Sequence, residues 1–282
     1  MITTNYIWVS LWAILPILMY SYMVYVWIPA RYISPKRARS YLFAGMLAPM
    51  LIFLIHFLFP WWGEKFSDNQ FLSFLIYAFF QVAILEELTK YITFQWVSSE
   101  RKSEKYDLPI AIMFYSMMTS VGFAIVENIS YLIDTRQQII LNLNYLQNNS
   151  HGSIVYDSAS IYKLINDSLM NVSLIRALSA VVVHMIAGVI LGYFMVKSHN
   201  VKYRLCQSDT SILILRTKRI GYIIMGIIAA ASFHGLYDLN LLLPNNQYAL
   251  LFHIVNVIVG LIIGNFIIKD LIESSKKIKN KL

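Results

Sequence analysis

Charge is what this chain has least of. Only 13% of its 282 residues are Asp, Glu, Lys or Arg, about half the quarter typical of a soluble globular domain. What remains is 58% apolar with a positive mean hydropathy, and the charge-free stretches reach the ~20 residues needed to cross a ~30 Å hydrocarbon core. These features exclude a set of soluble domains and predict a single all-α transmembrane domain over residues 1–282. There is one cysteine, Cys206, in a basic loop, so no intrachain disulfide framework can form. No lysine or arginine precedes the first apolar run, which argues against a cleavable signal peptide and makes that run the first span. The net charge of +8 does not imply a nucleic-acid partner. The basic residues fall in short loops between spans, where orientation bias accounts for them.

Seven spans are expected, near Tyr6 to Ile28, Tyr41 to Trp62, Phe71 to Val97, Leu108 to Ile133, Asn171 to Val196, Ile220 to Leu243 and Tyr248 to Ile268. Alternate loops differ sharply in charge. One set carries Arg31, Lys36, Arg37, Arg39, Arg101, Lys102, Lys105, Lys197, Lys202, Arg204, Arg216, Lys218, Arg219, Lys269, Lys276, Lys277, Lys279 and Lys281. The other carries only Lys65, Arg136 and Lys163, with Arg176 near a helix start. The positive-inside rule therefore puts the N-terminus outside and the C-terminus in the cytosol. Trp61 and Trp62 have the character of interfacial anchors on the outer side. Residues 134–170 are expected to form a long outer loop, rich in Asn, Ser and Gln, that either caps the protein or merely connects two spans.

Against this background a few residues are out of place. Glu86, Glu87 and Lys90 fall in the third predicted span, Glu127 in the fourth and Asp238 in the sixth. Each costs roughly 2.5–3.5 kcal/mol at a helix centre on insertion scales, so an intramembrane ionisable residue is a functional candidate by default. Glu86 and Lys90 are four apart and share a face, as do Phe123 and Glu127, and His234 and Asp238. Gly188 stands one turn after His184 and removes bulk where another helix can approach. Two adjacent carboxylates in a low dielectric cannot both ionise cheaply, which suits one of them to general acid–base work. The plain structural alternatives are an ion-pair cluster binding helices together and, for Glu127 with Asn128 and Ser130, simple interhelical hydrogen bonding. His56 and His253 have no acid at helical spacing and read as structural or interfacial.

The ordered set Glu86-Glu87-Leu88-Thr89-Lys90, then Gly122-Phe123-Ala124-Ile125-Val126-Glu127-Asn128, then His184, then His234-Gly235-Leu236-Tyr237-Asp238 resembles the PrsW family of bacterial intramembrane proteases. That family is related to the CAAX-processing and bacteriocin-processing membrane proteases and to the Aph-1 subunit of γ-secretase. The resemblance covers the third to sixth spans, residues 71–243, and marks them as the catalytic core. It implies hydrolysis of a peptide bond in a membrane-bound substrate in the bacterial cytoplasmic membrane, with a single-span anti-sigma factor as the expected partner. It further implies that Glu86 or Glu87 activates water, that Glu127 and His184 assist, and that His234 and Asp238 correspond to the pair steadying the oxyanion. The wider group often has Asn where this chain has Asp238, and an aspartate fits orienting His234 better than donating.

Other peptidase chemistries lack their residues. There is no His-Glu-x-x-His and no Gly-x-Ser-x-Gly, and Asp238 has no second intramembrane aspartate to complete an aspartyl pair. No local spacing demands a metal, so water activated by the glutamates without a cofactor is the favoured expectation. Were zinc or another divalent metal present, Glu127, His184, His234 and Asp238 would be the ligands. Two competing readings remain: a proton-coupled transporter or channel using the acids as a relay, and a non-catalytic scaffold like Aph-1. The first would show broken helices in matching halves, and none is seen. The second would cut nothing. At about 1.5 Å per residue the acids and histidines lie between roughly 17 and 28 Å from the cytosolic ends of their spans. That places them in the outer half of the bilayer.

The charge asymmetry predicts that reporters fused at Ser34, Ser103, Ser150 and Ser208 read inside, inside, outside and inside. An inside signal at Ser150 would overturn the orientation.

Overall fold

The computed structural model describes Tyr22, Ile28 and residues 32–59, 68–100, 108–149, 158–205, 212–243 and 249–279. The first predicted span therefore lies almost wholly outside the described residues, as do Trp61, Trp62 and Cys206. The rest is helical, with no strand among the described residues: α1 (Pro35–Leu58), α2 (Gln70–Ile76), a π segment (Tyr77–Ala83), α3 (Ile84–Glu100), α4 (Pro109–Asn149), α5 (Ser158–Leu178), α6 (Ala180–Leu205), α7 (Ile212–Leu242) and α8 (Ala249–Lys279). By length and composition six stretches are long and apolar enough to span a membrane, α2 to α3 and α5 to α6 each counting as one. The all-α membrane architecture is as the sequence indicated. The seventh span and the orientation rest on the sequence.

Several helices run past the predicted ends, because hydropathy marks where the hydrocarbon lies and a helix does not stop at the headgroups. Pro35 occupies the first turn of α1, and Ser34 accepts from the Arg37 N–H at 3.5 Å, the combination that starts a helix. The clearest departure concerns the expected outer loop at residues 134–170. Its described part is an antiparallel pair of helices, the end of α4 and the whole of α5, with residues 150–157 outside the described residues. Leu132, Ile165 and Leu169 are buried between them, flanked by Ile139, Ile140, Ile161 and Val172. The polar composition reflected solvent contact; the apolar spacing beneath it was helical. The fifth predicted span likewise begins earlier, as α5 leading into α6. The ladder continues across Ser179, whose N–H donates to Ile175 O at 3.1 Å and whose carbonyl accepts from Val183 at 3.0 Å.

α4 lies at the centre and is almost entirely buried over its apolar length. Lipid is as apolar as leucine, so helices inside a bilayer associate by close packing rather than by hydrophobic exclusion, and small residues permit it. Gly45 of α1 and Gly122 of α4 sit where a Cβ would land on the backbone carbonyls of Thr119 and Leu42 respectively. Gly188 and Gly192 of α6 face α4 in the same way, with a Cβ at Gly188 falling 2.5 Å from Ser120 Oγ and 2.9 Å from Met117 Cα. The close approach expected beside His184 is therefore present.

Gly45→Ala should lower stability by about 1–3 kcal/mol through overpacking. Gly221→Ala, with no described atom within 4 Å of the added Cβ, should be neutral or slightly stabilising. Thermal melts of the detergent-solubilised chain distinguish the two, and equal effects would contradict the packing account.

Candidate functional site

The π segment immediately precedes the glutamate pair. Its wider turn, closed by Ile84 N–H on Phe79 O, shifts the face on which α3 begins, and such segments recur at functional sites. It packs on α7 beside His234: a Cβ on Gly235 would come within 2.9 Å of Phe79 Cδ1. This contact seats the glutamate-bearing turn of α3 against the histidine-bearing turn of α7.

From there a line of alternating acids and bases crosses the bundle. On α3, Lys90 Nζ donates to Glu87 Oε1 at 2.7 Å and to Glu86 Oε2 at 3.4 Å. It also donates to Nδ1 of His184 on α6, 3.1 Å away, and lies 4.2 Å from the centre of the Phe123 ring of α4, a cation–π seat. With Nδ1 accepting, Nε2 of His184 donates to Glu127 Oε2 at 2.5 Å. Glu127 in turn meets Nη2 of Arg176 on α5 at 3.1 Å, while Arg176 Nε donates to Asn128 Oδ1 at 2.7 Å and the guanidinium covers the Tyr131 ring at 3.7 Å. At the other end His234 directs Nδ1 to Glu87 Oε1 at 3.3 Å and Nε2 to Asp238 Oδ2 at 3.3 Å. The two imidazoles meet edge to face, with centroids 4.6 Å apart.

All six predicted site residues, with Lys90, thus form one cluster on α3, α4, α6 and α7, and Asn128 supports it through Arg176. His56 and His253 stay apart: the first turns Nδ1 toward Ile52 O and the second lies against Tyr237. Arg176 is the member that the sequence reading missed, having counted only as an outer-side cation. The available signal was an arginine embedded in an apolar run, eight residues before His184. Gln81, buried in the π segment with neither amide atom hydrogen-bonded among the described residues, was also unremarked.

The two adjacent glutamates are not equivalent. The Glu87 side chain is 0% accessible and Glu86 10%, while Glu127 and Asp238 reach 18% and 20%. Glu86, Glu127 and Asp238 keep some exposed side-chain surface; Glu87 has none.

The donors that could jointly hold a metal ion are Glu86, His184 and His234, whose ligand atoms lie within 4.8 Å of one another. Glu127 and Asp238, expected from sequence among the ligands, are instead on the outer ring nitrogens of the two histidines. That is the carboxylate–histidine arrangement that steadies metal-binding imidazoles. The chemistry of the set fits a divalent cation in a second way. Four carboxylates face one ammonium and one guanidinium, so the acids outnumber the fixed cations by two. Glu87 Oε2 is buried without a hydrogen-bond partner among the described residues, as expected where a positive charge is missing.

A charged centre walled by membrane-length helices defines a polytopic membrane protein with its chemistry inside the bundle. The chain belongs to the PrsW family, described as intramembrane metalloproteases, whose model matches residues 35–264. Among curated proteins, Protease PrsW of Oceanobacillus iheyensis is 40% identical over 67 residues, which cover 24% of this chain and 30% of that protein. The alignment thus spans less than a third of the relative it matches. No solved structure matches the chain.

Arg176→Met would leave Glu127 without its cation and should cost about 3 kcal/mol, the low end for a broken buried pair because Glu127 is partly accessible. Adding Glu127→Gln should recover much of this in thermal melts. A double variant no more stable than the single would show that the two residues do not act as a pair.

Proposed function

We propose that the protein is an intramembrane peptidase that hydrolyses a peptide bond of a membrane-bound substrate, with Glu86 as the group that activates water. The observation that carries this reading is the partly exposed Glu86 carboxylate beside two histidines, each paired at Nε2 with a further carboxylate, inside an apolar bundle. A divalent metal, where bound, would be held by Glu86, His184 and His234 and would supply Lewis acidity and a more acidic water. The family description favours this over the metal-free site expected from the motifs alone.

The chain's own residues divide the remaining work. Glu86 takes the proton from water as its oxygen attacks the carbonyl carbon, and returns it to the leaving amine as the C–N bond breaks. That balances one water against one new carboxyl and one new amine. Glu127 and Asp238 fix the rings of His184 and His234, an orienting role for Asp238 in keeping with its identity. Glu87 holds Lys90 and His234 and does not itself meet water. Arg176 offsets Glu127, and the apolar walls keep bulk water out, so each of these interactions operates in a low dielectric. By the family resemblance the substrate is a single-span membrane protein of the anti-sigma-factor type, in the bacterial cytoplasmic membrane.

Glu86→Gln should lower cleavage by about 10²- to 10⁴-fold, the usual worth of a general base, while leaving the melting temperature nearly unchanged. Glu87→Gln should lower both, because it strips Lys90 of its shortest contact. Comparative membrane proteomics of cells carrying wild type or Glu86→Gln should reveal a membrane protein that accumulates uncut in the variant, and identical proteomes would count against the peptidase. Mass spectrometry of the products should place the cut in the outer half of the substrate's span or just beyond it. A cut near the cytosolic end is incompatible with the depth of these residues.

A further inference from the structure

Lys90 stands against the residues that could hold a metal ion. Its ammonium donates to Nδ1 of His184 and to Glu86 Oε2, and these belong to two of the three residues of the metal-binding group. Its shortest contact, 2.7 Å, is with Glu87, which is outside that group. The side chain is fully buried, 1% accessible, so it has no solvent to withdraw into. Its existing contacts to Glu87 Oε1 at 2.7 Å and to the Phe123 face at 4.2 Å can hold the ammonium after those to His184 and Glu86 are given up, and the flexible four-carbon stem permits so short a move.

We propose that Lys90 is a resident counter-ion that holds the metal's place in the centre and withdraws onto Glu87 when a divalent cation binds. This rests on the metal-binding reading of the site and assigns a residue that does not touch the metal. Without a cation, the ammonium keeps the carboxylates of α3 from repelling one another inside the bundle, so the chain folds before loading. With one, the cation answers the carboxylates that outnumber Lys90 and Arg176, and Glu87 becomes the lysine's anchor rather than a second base. Charge repulsion between Lys90 and the bound ion sets an upper limit on affinity, because like charges a few ångströms apart at low dielectric repel strongly.

The test uses the full chain in lipid nanodiscs, zinc alone as the probe, chelator competition for affinity and thermal melts of the metal-free protein for stability. Lys90→Met should bind zinc more tightly, by tenfold or more on the order expected for removing one unit charge, and its metal-free form should melt lower than wild type. Lys90→Arg should bind zinc more weakly than wild type, since the larger guanidinium, even when paired with Glu87, keeps N–H groups and bulk against Glu86 and His184. Zinc binding by wild type with Lys90→Met no tighter overturns the counter-ion role and leaves the metal reading standing. Absence of zinc binding in wild type and both variants removes the metal reading and this proposal with it, without touching the proteomic test of proteolysis. Should Lys90→Met not fold, Lys90→Arg decides: binding as tight as wild type overturns the proposal.

Discussion

A charge taken into the hydrocarbon must meet an opposite charge or a hydrogen bond, and the rest of this structure depends on how that is arranged. Arg176, Glu127, His184, Lys90, Glu87, His234 and Asp238 form one line in which each group is in ion-pair or hydrogen-bond contact with the next. The line passes through α5, α4, α6, α3 and α7, so the same contacts that make the charges tolerable also fix the helices relative to one another. Removing an inner member leaves two neighbours unpaired, which is why structure and chemistry are hard to separate here. Glu86 stands beside the line rather than in it. It touches Lys90 at 3.4 Å and His234 at 3.7 Å, keeps some access to water, and is the member that can change partners without breaking the chain.

The helices are built to allow this. α4 can occupy the centre because Gly45, Gly122, Gly188 and Gly192 remove side-chain bulk at its crossings, bringing Glu127 and His184 within hydrogen-bond reach. The π segment does for α3 and α7 what the glycines do for α4. It sets the face of α3 on which two adjacent glutamates both meet Lys90 and His234, Glu87 fully buried and Glu86 partly exposed. A regular helix over Tyr77–Ala83 would turn the pair by a different angle relative to His234.

Much of this was legible in the sequence for a physical reason. Ionisable residues are so costly in an apolar span that Glu86, Glu87, Lys90, Glu127 and Asp238 stand out individually, and i,i+4 spacing pairs Glu86 with Lys90 and His234 with Asp238 without any tertiary information. Contacts between helices were not legible. Nothing in the spacing says that Glu127 meets His184, that Lys90 reaches the same ring from the other side, or that Arg176 belongs with them. The conditional ligand set of Glu127, His184, His234 and Asp238 differs from the grouped donors Glu86, His184 and His234 for this reason: helical faces do not reveal which nitrogen of an imidazole points inward. The outer helices at residues 134–149 and 158–170 were read as a loop because polarity was weighed above the apolar period formed by Leu132, Ile139, Ile140, Ile161 and Ile165.

The central claim is that water activated within this cluster cuts a peptide bond. Cleavage of a purified membrane substrate by the purified protein in ¹⁸O-labelled water, followed by mass spectrometry of the new C-terminus, tests it most directly. The account predicts one ¹⁸O atom in the new carboxyl group with the wild-type chain and almost no product with Glu86→Gln. Product formed equally well by Glu86→Gln, or a new carboxyl without label, would contradict it.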